Sequence, residues 1–220
     1  GTFTYDHLSP WRSVFRGTAA HNTVRVGGTD QADPAGAFGW QKLPNAFVRN
    51  WKTTSNADFL DAECRYRDVR HRRRVFFWKP GLLFVLDDVE YGGAAVEQFW
   101  HPAAPVRKLT PMSFGLGHAG TLLLAPGNSP AECFEGGEFG WRSEVYGSKQ
   151  PSPVIVMRRQ GAGQFGSVLV LSMPDFSGAL ELVQVGEDIR MALTGPLQSS
   201  VTFPREGFPR FVGWRGSWPE

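Results

Sequence analysis

The sequence has little cysteine, no long apolar run and no segment that marks export. Its 220 residues include only two cysteines, Cys64 and Cys133, which could pair or stay free but cannot form the disulfide framework of a small secreted domain. No stretch approaches the roughly 20 apolar residues that cross a bilayer, so we expect no membrane span. No basic segment followed by an apolar one indicates a signal peptide.

Several well-known chemistries are also missing. The sequence contains no Gly-rich phosphate loop, no His-Glu-x-x-His, no Cys-x-x-Cys and no Gly-x-Ser-x-Gly elbow. The net charge of +2 is near neutral, so composition alone requires no acidic partner. No aromatic platform of the single-strand-binding type is interleaved with the basic residues, and we therefore expect no nucleic-acid partner.

Glycine, proline and aromatic residues are plentiful. The 26 Gly and 16 Pro predict frequent turns and few long helices, and the 13% aromatic content suits stacked sheets and also carbohydrate contact. Short strand-like segments recur between turn residues, without an internal repeat or a convincing amphipathic helix. We predict an all-β fold over residues 1–220, an antiparallel two-layer β-sandwich of about a dozen strands.

Individual segments are predicted from the same patterns. Strands are expected at residues 2–5, 47–53, 59–66 and 141–146, and a hairpin is expected from 69–78 and 82–89 around Lys79-Pro80-Gly81. Residues 32–45, which include Trp40, are predicted to be a loop. Residues 147–153 are predicted to form an exposed loop rather than a domain boundary.

The strongest charge run, Arg70-His71-Arg72-Arg73-Arg74, lies in the first strand of that hairpin. Because alternate side chains of a strand face opposite ways, Arg70, Arg72 and Arg74 are expected on one face, with His71 and Arg73 on the other. A basic stripe suits an anionic polysaccharide, and a solvated sheet face is the alternative.

One histidine lies beside an asparagine at the entrance of a short strand. The β-branched pattern of residues 23–26 favours a strand, and Gly27-Gly28 favours a turn after it. Taken by itself, a lone histidine such as His21 is more often structural than functional. Asn22, Asp30 and Gln31 could orient His21 or bind sugar hydroxyls, although such residues near Gly-Gly are more often turn formers.

Two groups of motifs occur in a characteristic order and spacing. The first comprises Gly1-Thr2-Phe3-Thr4-Tyr5-Asp6, Trp11-Arg12, Phe15-Arg16, Ala19-Ala20-His21-Asn22-Thr23-Val24 and Asp30-Gln31. The second comprises His71-Arg72-Arg73-Arg74-Val75, Lys79-Pro80-Gly81 and Val85-Leu86-Asp87. Over roughly the first 90 residues, this series resembles the heparinase II/III-like C-terminal region of polysaccharide lyases.

The resemblance implies a larger parent protein. In that family the β-sandwich is paired with an N-terminal α/α toroid, and the substrate cleft lies between them. The sequence opens on a motif at Gly1 without an initiator methionine, so we expect a fragment whose toroid is missing. The parent would be a periplasmic or secreted bacterial lyase that cleaves uronic-acid-containing glycans, heparin- or heparan sulfate-like or alginate-like, by β-elimination. The isolated chain is expected to turn over little or none.

The resemblance also suggests site residues. It implies that His21 is a ligand of a divalent metal, commonly zinc, whose other ligands, a histidine and an aspartate, lie upstream of this chain. Tyr5 is a candidate general base or acid, with a strand tyrosine as the alternative. The proposed substrate contacts are Arg12, Arg16, Asn22, Gln31 and Trp40. Of these, the two arginines could bind a uronic acid carboxylate or simply brace a loop.

Two other function classes remain open. A non-catalytic glycan-binding module would use Trp11, Trp40 and Trp51 as stacking platforms. A purely structural sandwich would bind no anionic glycan at all.

Overall fold

The computed structural model describes residues 3–93, 95–125 and 130–213, and antiparallel β-structure dominates them. One α-helix, α1 (Pro10–Arg16), and two single 3-10 turns, Thr18–Ala20 and Gly117–Ala119, complete the regular structure of these residues. The strands in chain order are β1 (Val24–Val26), β2 (Asp33–Ala35), β3 (Gly39–Gln41), β4 (Asn45–Thr53), β5 (Ala57–Tyr66), β6 (Val69–Trp78), β7 (Leu82–Glu90), β8 (Ala95–Trp100), β9 (Arg107–Thr110), β10 (Ser113–Gly115), β11 (Gly120–Leu124), β12 (Glu132–Glu135), β13 (Trp141–Arg142), β14 (Gln150–Pro151), β15 (Pro153–Gln160), β16 (Gly163–Leu171), β17 (Leu180–Val185), β18 (Asp188–Leu193), β19 (Ser199–Phe203) and β20 (Arg210–Val212).

A central eight-stranded sheet carries a smaller sheet on each face. The central order is β4-β5-β6-β7-β16-β11-β10-β9, and the outer sheets are β1-β8-β15-β12 and β17-β18-β19-β20. All pairings are antiparallel, as expected when neighbouring strands are joined by short turns. The prediction of an antiparallel β-sandwich is confirmed, and the third layer adds to the two that the sequence predicted.

The first core lies between the central sheet and β17–β20. Phe76 and Phe84 of the central sheet meet Met191 and Phe203 of the outer one, and each of the four is at most 2% exposed. Complete burial of a Phe side chain stabilises the fold by about 2 to 3 kcal/mol. This core therefore fixes the outer sheet on the central one.

The second core lies on the opposite face, beneath the sheet that contains β1. Val24 and Val26 of β1 pack with Val89, Leu122 and Phe165 of the central sheet. Because β1 is only three residues long, its alternating buried valines are what attach it to the core. The residue stretch that precedes β1, including His21, is thereby attached to the second core.

The predicted hairpin at the basic run is confirmed. β6 and β7 pair in register from Arg70↔Glu90 to Trp78↔Leu82, and the Gly81 N–H closes the turn on the Trp78 carbonyl at 2.9 Å. In this register Arg73 lies opposite Asp87. The alternation is also as predicted, with His71 and Arg73 facing the second core and the other arginines facing β17–β20.

One prediction for the N-terminal segment was wrong, and one element there was not predicted. Residues 3–5 form no strand, and position 2 lies outside the described residues. Instead the chain forms α1, which the sequence did not predict because seven residues are too few to show helical periodicity. Proline at its first position is favourable, since its fixed φ suits a helix start and its missing N–H costs nothing there.

Three other segments differ from their predictions. The predicted loop at 32–45 contains the hairpin β2–β3, which turns at Gly36 with a φ of +56°. The strand predicted at 141–146 is limited to β13, which pairs with β14 inside the predicted loop at 147–153. Ser152 in that predicted loop is buried.

Cys64 and Cys133 are both free and half-buried, and burial raises the pKa of each thiol.

Among the residues that the structure describes, no helix has the length and apolar character that spanning a membrane requires.

Candidate functional site

His21 lies at the end of a single 3-10 turn, immediately before β1. Its backbone is extended and its N–H donates to the Thr18 carbonyl at 3.2 Å. The residue is exposed. Partial desolvation by neighbouring atoms lowers the pKa of His21, so the ring is neutral at pH 7. A neutral imidazole is the form that binds a metal ion or accepts a proton.

The returning chain after β1 fixes the start of this turn. Asp30 accepts a hydrogen bond from the Thr18 N–H at 2.7 Å, and the Gln31 N–H donates to the Thr18 hydroxyl at 2.8 Å. A side chain at Gly17 would meet the Asp30 carboxylate at 3.2 Å. Asp30 and Gln31 thus orient the turn that carries His21, which is one of the roles that the sequence suggested.

A second anchor follows His21 directly. The Asn22 side-chain oxygen accepts from the His101 N–H at 2.7 Å, and the His101 Nε2 donates to the Ala19 carbonyl at 2.8 Å. Because a carbonyl only accepts, the proton of His101 is on Nε2. Burial lowers the pKa of His101, and the nearby His21 lowers it further. These contacts join the chain on either side of His21 to His101, the residue that follows β8.

A cleft lies beside the same turn. It has a volume of about 250 Å³ and is lined by α1, by Ala19 and Ala20, and by Phe139 and Trp141. Its charged groups are Arg25, Asp30 and Glu138. The Arg25 guanidinium is held by Glu97 at 2.6 Å and lies 4.7 Å from the centre of the Phe139 ring.

Tyr5 belongs to an exposed aromatic cluster at this end of the domain. Tyr5 is 49% exposed, and its ring lies 5.2 Å from that of Phe38 and 5.4 Å from that of Tyr146, centre to centre. The Tyr5 N–H donates to the Tyr146 hydroxyl at 3.1 Å. Two hydrogen bonds lower the pKa of Tyr146, the larger effect coming from the Thr4 hydroxyl and the smaller from the Tyr5 N–H. Tyr5 is therefore accessible to a ligand, and Tyr146 fixes its backbone.

Arg12 and Arg16 brace the β2–β3 hairpin. Arg12 donates through Nε to the Ala37 carbonyl at 3.0 Å, and Arg16 donates through Nη1 to the Gly36 carbonyl at 3.0 Å. Both arginines are at most 9% exposed. Both arginines thus brace a loop, which is the alternative that the sequence left open. Their contact with a uronic acid carboxylate stays a prediction.

The remaining predicted contacts are dispersed. Trp40 is 42% exposed, but the Arg16 guanidinium lies 4.1 Å from the centre of its ring and covers one face. Gln31 donates to the Thr23 hydroxyl and the Val24 carbonyl at 3.3 Å each. Asn22 is exposed, but its side-chain oxygen is occupied by His101. Substrate contact by these three residues remains a prediction.

The residues that the structure describes do not by themselves complete a metal site. Among residues 3–93, 95–125 and 130–213, no three His, Cys, Asp or Glu side chains converge as a metal site would require. His21 is exposed and neutral and so can supply one ligand, but a stable zinc site needs three or four. The cofactor therefore stays a prediction that depends on ligands from elsewhere.

The arginines of β6 are neither a solvated face nor a free basic stripe. Arg72 and Arg74 are at most 5% exposed. Arg72 donates two hydrogen bonds to Asp61, of 2.9 and 2.7 Å, and Arg70 donates one to Glu63 at 2.9 Å. Internal carboxylates thus neutralise this face, which corrects the anionic-polysaccharide interpretation of the charge run.

Sequence reasoning missed three residues near the site: Arg73, His101 and Tyr146. The sequence places Arg73 only on a strand face and Tyr146 only at a predicted strand end. His101 follows β8 and looks like a core histidine in the sequence, yet it is half-buried against the turn. Their roles depend on contacts between distant segments, so no local pattern could have identified them.

Comparison with known proteins gives a consistent result. The family described as heparinase II/III-like, C-terminal, matches residues 1–167. No curated protein matches the chain.

Solved structures with the same fold include lyases. A heparinase III, the BT4657 gene product, superposes with a TM-score of 0.72 at 16% identity, covering 93% of this chain and 33% of that one. The heparan sulfate lyase HepC from Pedobacter heparinus gives 0.72 at 17% identity, covering 94% and 34%. Another heparinase III gives 0.66 at 12% identity, covering 88% and 31%. The chain thus spans about a third of the length of these structures, and at such identities the likeness shows the fold.

Proposed function

This chain belongs to the heparinase II/III-like C-terminal family, and on that premise we propose that it is the β-sandwich domain of a polysaccharide lyase. The proposed substrates are acidic glycans that contain uronic acid. A heparin- or heparan sulfate-like glycan is the first choice, because solved proteins with this fold are named heparinase III and heparan sulfate lyase. An alginate-like glycan is the second. We further propose that the parent protein is periplasmic or secreted.

The observation that carries the proposal is an exposed histidine on a tightly held turn. Asp30 fixes the start of the turn, while His101 fixes the residue that follows His21. The backbone on both sides of His21 is thus held by two separate segments of the chain. Restraint of this kind is what a reacting or metal-binding group requires, because small displacements are costly in catalysis.

β-Elimination at a 1,4-linked uronic acid makes three demands. The carboxylate must be neutralised so that the proton on ring carbon five becomes acidic, a base must remove that proton, and an acid must protonate the leaving oxygen. We assign Tyr5 to proton transfer as an exposed phenol whose backbone is fixed by Tyr146. We assign Asn22, Gln31 and Trp40 to contacts with the glycan around the cleaved bond. Arg12 and Arg16 support these contacts by bracing the β2–β3 hairpin, which includes Trp40.

His21 is proposed as one ligand of a divalent metal, most simply zinc, with the remaining ligands upstream of this chain. A metal there would supply positive charge near the substrate carboxylate. An N-terminal α/α toroid is the proposed partner domain. Exposed apolar side chains at the Tyr5 end, including Leu8, Phe38 and Tyr146, give such a domain a surface to cover.

An activity assay tests the proposal. The 220-residue chain and its parent protein are incubated with heparin, heparan sulfate and alginate, and the absorbance of the unsaturated product is recorded. We expect turnover of at least one glycan by the parent and little or none by the isolated chain. Failure of the parent on all three glycans would contradict the lyase assignment, and robust turnover by the isolated chain would contradict its dependence on a partner domain.

A glycan-binding module is the second candidate because Trp51 is 67% exposed on the edge strand β4. The other two tryptophans are less available: Arg16 covers Trp40, and Trp11 packs edge-on against Trp141 at 5.1 Å with Lys149 over its ring. Loss of glycan binding in Trp51→Ala, with binding retained in His21→Ala, would favour this function over the lyase domain.

A further inference from the structure

Arg73 connects the interior of the domain to the turn that carries His21. Its guanidinium binds Asp87 through two parallel hydrogen bonds, Nε to Oδ1 at 2.6 Å and Nη2 to Oδ2 at 2.9 Å. The remaining Nη1 donates to the backbone carbonyl of Asn22. A bidentate pair fixes the plane of a guanidinium, so the direction of the third donor is fixed as well.

The anchor itself is held by further hydrogen bonds. Asp87 is fully buried, and it also accepts from His71 Nε2 at 2.6 Å and from Gln98 Nε2 at 2.7 Å. Ser167 in turn donates to Gln98 at 3.0 Å. Burial alone would raise the pKa of Asp87, but Arg73 and His71 outweigh it and hold the pKa below the usual range. Asp87 is therefore ionised and occupied by four donors.

The other end of the connection is the residue next to His21. Arg73 holds the Asn22 carbonyl while the His101 N–H holds the Asn22 side chain. Both polar ends of this residue are thus fixed, on one side from β6 and on the other from the end of β8. The direction in which His21 leaves the backbone then depends on the buried carboxylate at Asp87.

We propose that Arg73 is a positioning residue that aligns the His21 imidazole by clamping the Asn22 carbonyl to the buried Asp87. The inference rests on the proposed function, which gives His21 its role. Lysine cannot replace Arg73 here, because a single ammonium cannot keep two hydrogen bonds to Asp87 and also reach Asn22 with the same geometry.

The same strand offers a matched control. Arg72 is also bidentate, to Asp61, and also donates to a backbone carbonyl, that of Arg205 at 2.8 Å. It faces the other outer sheet, away from His21. Arg72→Lys therefore removes an equivalent buried clamp without touching the turn.

The first test uses nuclear magnetic resonance on the 220-residue chain. Arg73→Lys is expected to shift the His21 ring signals. It is also expected to speed hydrogen exchange of the His101 backbone N–H, which donates to the Asn22 side chain, by about tenfold or more. Arg72→Lys is expected to leave both unchanged, although it lowers the melting temperature by a similar amount. Equal effects in the two variants, or no effect in Arg73→Lys, would overturn the proposal.

A second measurement needs no variant, which covers the case that Arg73→Lys does not fold. In the unaltered chain, the Arg73 guanidinium protons are expected to exchange slowly and to show nuclear Overhauser contacts to the Asn22–Thr23 segment. Rapidly exchanging protons without these contacts would also overturn the proposal.

Kinetics separate this inference from the lyase assignment. In an active parent protein, Arg73→Lys is expected to lower kcat by tenfold or more with KM little changed, while Arg72→Lys leaves both near the original values. An unchanged kcat in Arg73→Lys would overturn positioning. A parent with no activity would refute the proposed function alone, since the resonance measurements still test the clamp.

Discussion

Glu63 is the residue whose replacement gives the most quantitative prediction. Its side chain is fully buried on β5, where it accepts from Arg49 at 3.0 Å, Arg65 at 2.5 Å and Arg70 at 2.9 Å. Burial alone would raise the pKa of Glu63, but hydrogen bonds from Arg70 and then Arg65 outweigh it and lower the pKa from 4.5 to about 2. Glu63→Gln keeps the shape of the side chain and removes its charge.

The magnitude follows from linkage between protonation and folding. A shift of one pKa unit corresponds to about 1.4 kcal/mol, so a fall from 4.5 to about 2 stabilises the folded state by at most about 3.5 kcal/mol. Because the three arginines are partly exposed, we expect Glu63→Gln to cost about 2 to 3 kcal/mol at pH 7. For a chain of this size that corresponds to a melting temperature roughly 4 to 12 °C lower.

The sign of the pH dependence is fixed by the direction of the shift. Since the folded pKa lies below the unfolded one, the stabilisation is complete above the unfolded value of 4.5 and is lost as the pH falls through about 2. Urea unfolding of the two proteins at several pH values should therefore show a gap that is widest at neutral pH and closes in acid.

Glu90 supplies the control. It also pairs with Arg70, but its side chain is 63% exposed, and exposed pairs contribute about 1 kcal/mol or less. Glu90→Gln is expected to leave the urea midpoint almost unchanged. If Glu63→Gln costs less than 1 kcal/mol, if Glu90→Gln costs as much, or if the gap persists at pH 2, the reasoning about the buried arginine cage is wrong.

Two further predictions concern the candidate site. His21→Ala should change the free energy of unfolding by no more than about 0.5 kcal/mol in urea titration, because the side chain is exposed; a larger loss would mean that the ring is structural. Tyr146→Phe should remove the earliest-titrating phenol when phenolate absorbance is followed as the pH is raised, since contact with Thr4 lowers the pKa of Tyr146. Tyr66→Phe is the control and should instead remove the last phenol to titrate, because burial raises the pKa of Tyr66; an unchanged first phase in Tyr146→Phe would show that its hydroxyl contacts do not form.

Local patterns were sufficient wherever a strand alternates and a turn follows it. The β6–β7 hairpin is an example: its alternation and its Lys79-Pro80-Gly81 turn are both contained in about 20 consecutive residues. The opposite orientation of Arg72 and Arg73 was predicted for the same reason, because the pleat alone decides it. The all-β class and the position of His21 near the entrance of β1 were also accessible from the sequence.

Local patterns were not sufficient for segments whose structure depends on residues distant in the sequence. α1 is too short to show a helical period, and its buried Arg12 and Arg16 are accommodated only because the β2–β3 turn presents carbonyls to them. The hairpin at 33–41 was likewise hidden, since these few residues carry no alternating apolar pattern.

The sequence by itself determined the alternation of the strands, the polar and charged groups available, and the family motifs around His21. Only the tertiary structure decided which charges are neutralised and what holds the histidine in place. Arg73 and Asp87 are brought together by strand pairing, but Asn22 and His101 reach them from other segments of the chain. Such contacts depend on how sheets stack, and the free energy of burying a charge depends on the partner it meets there, which no local sequence pattern contains.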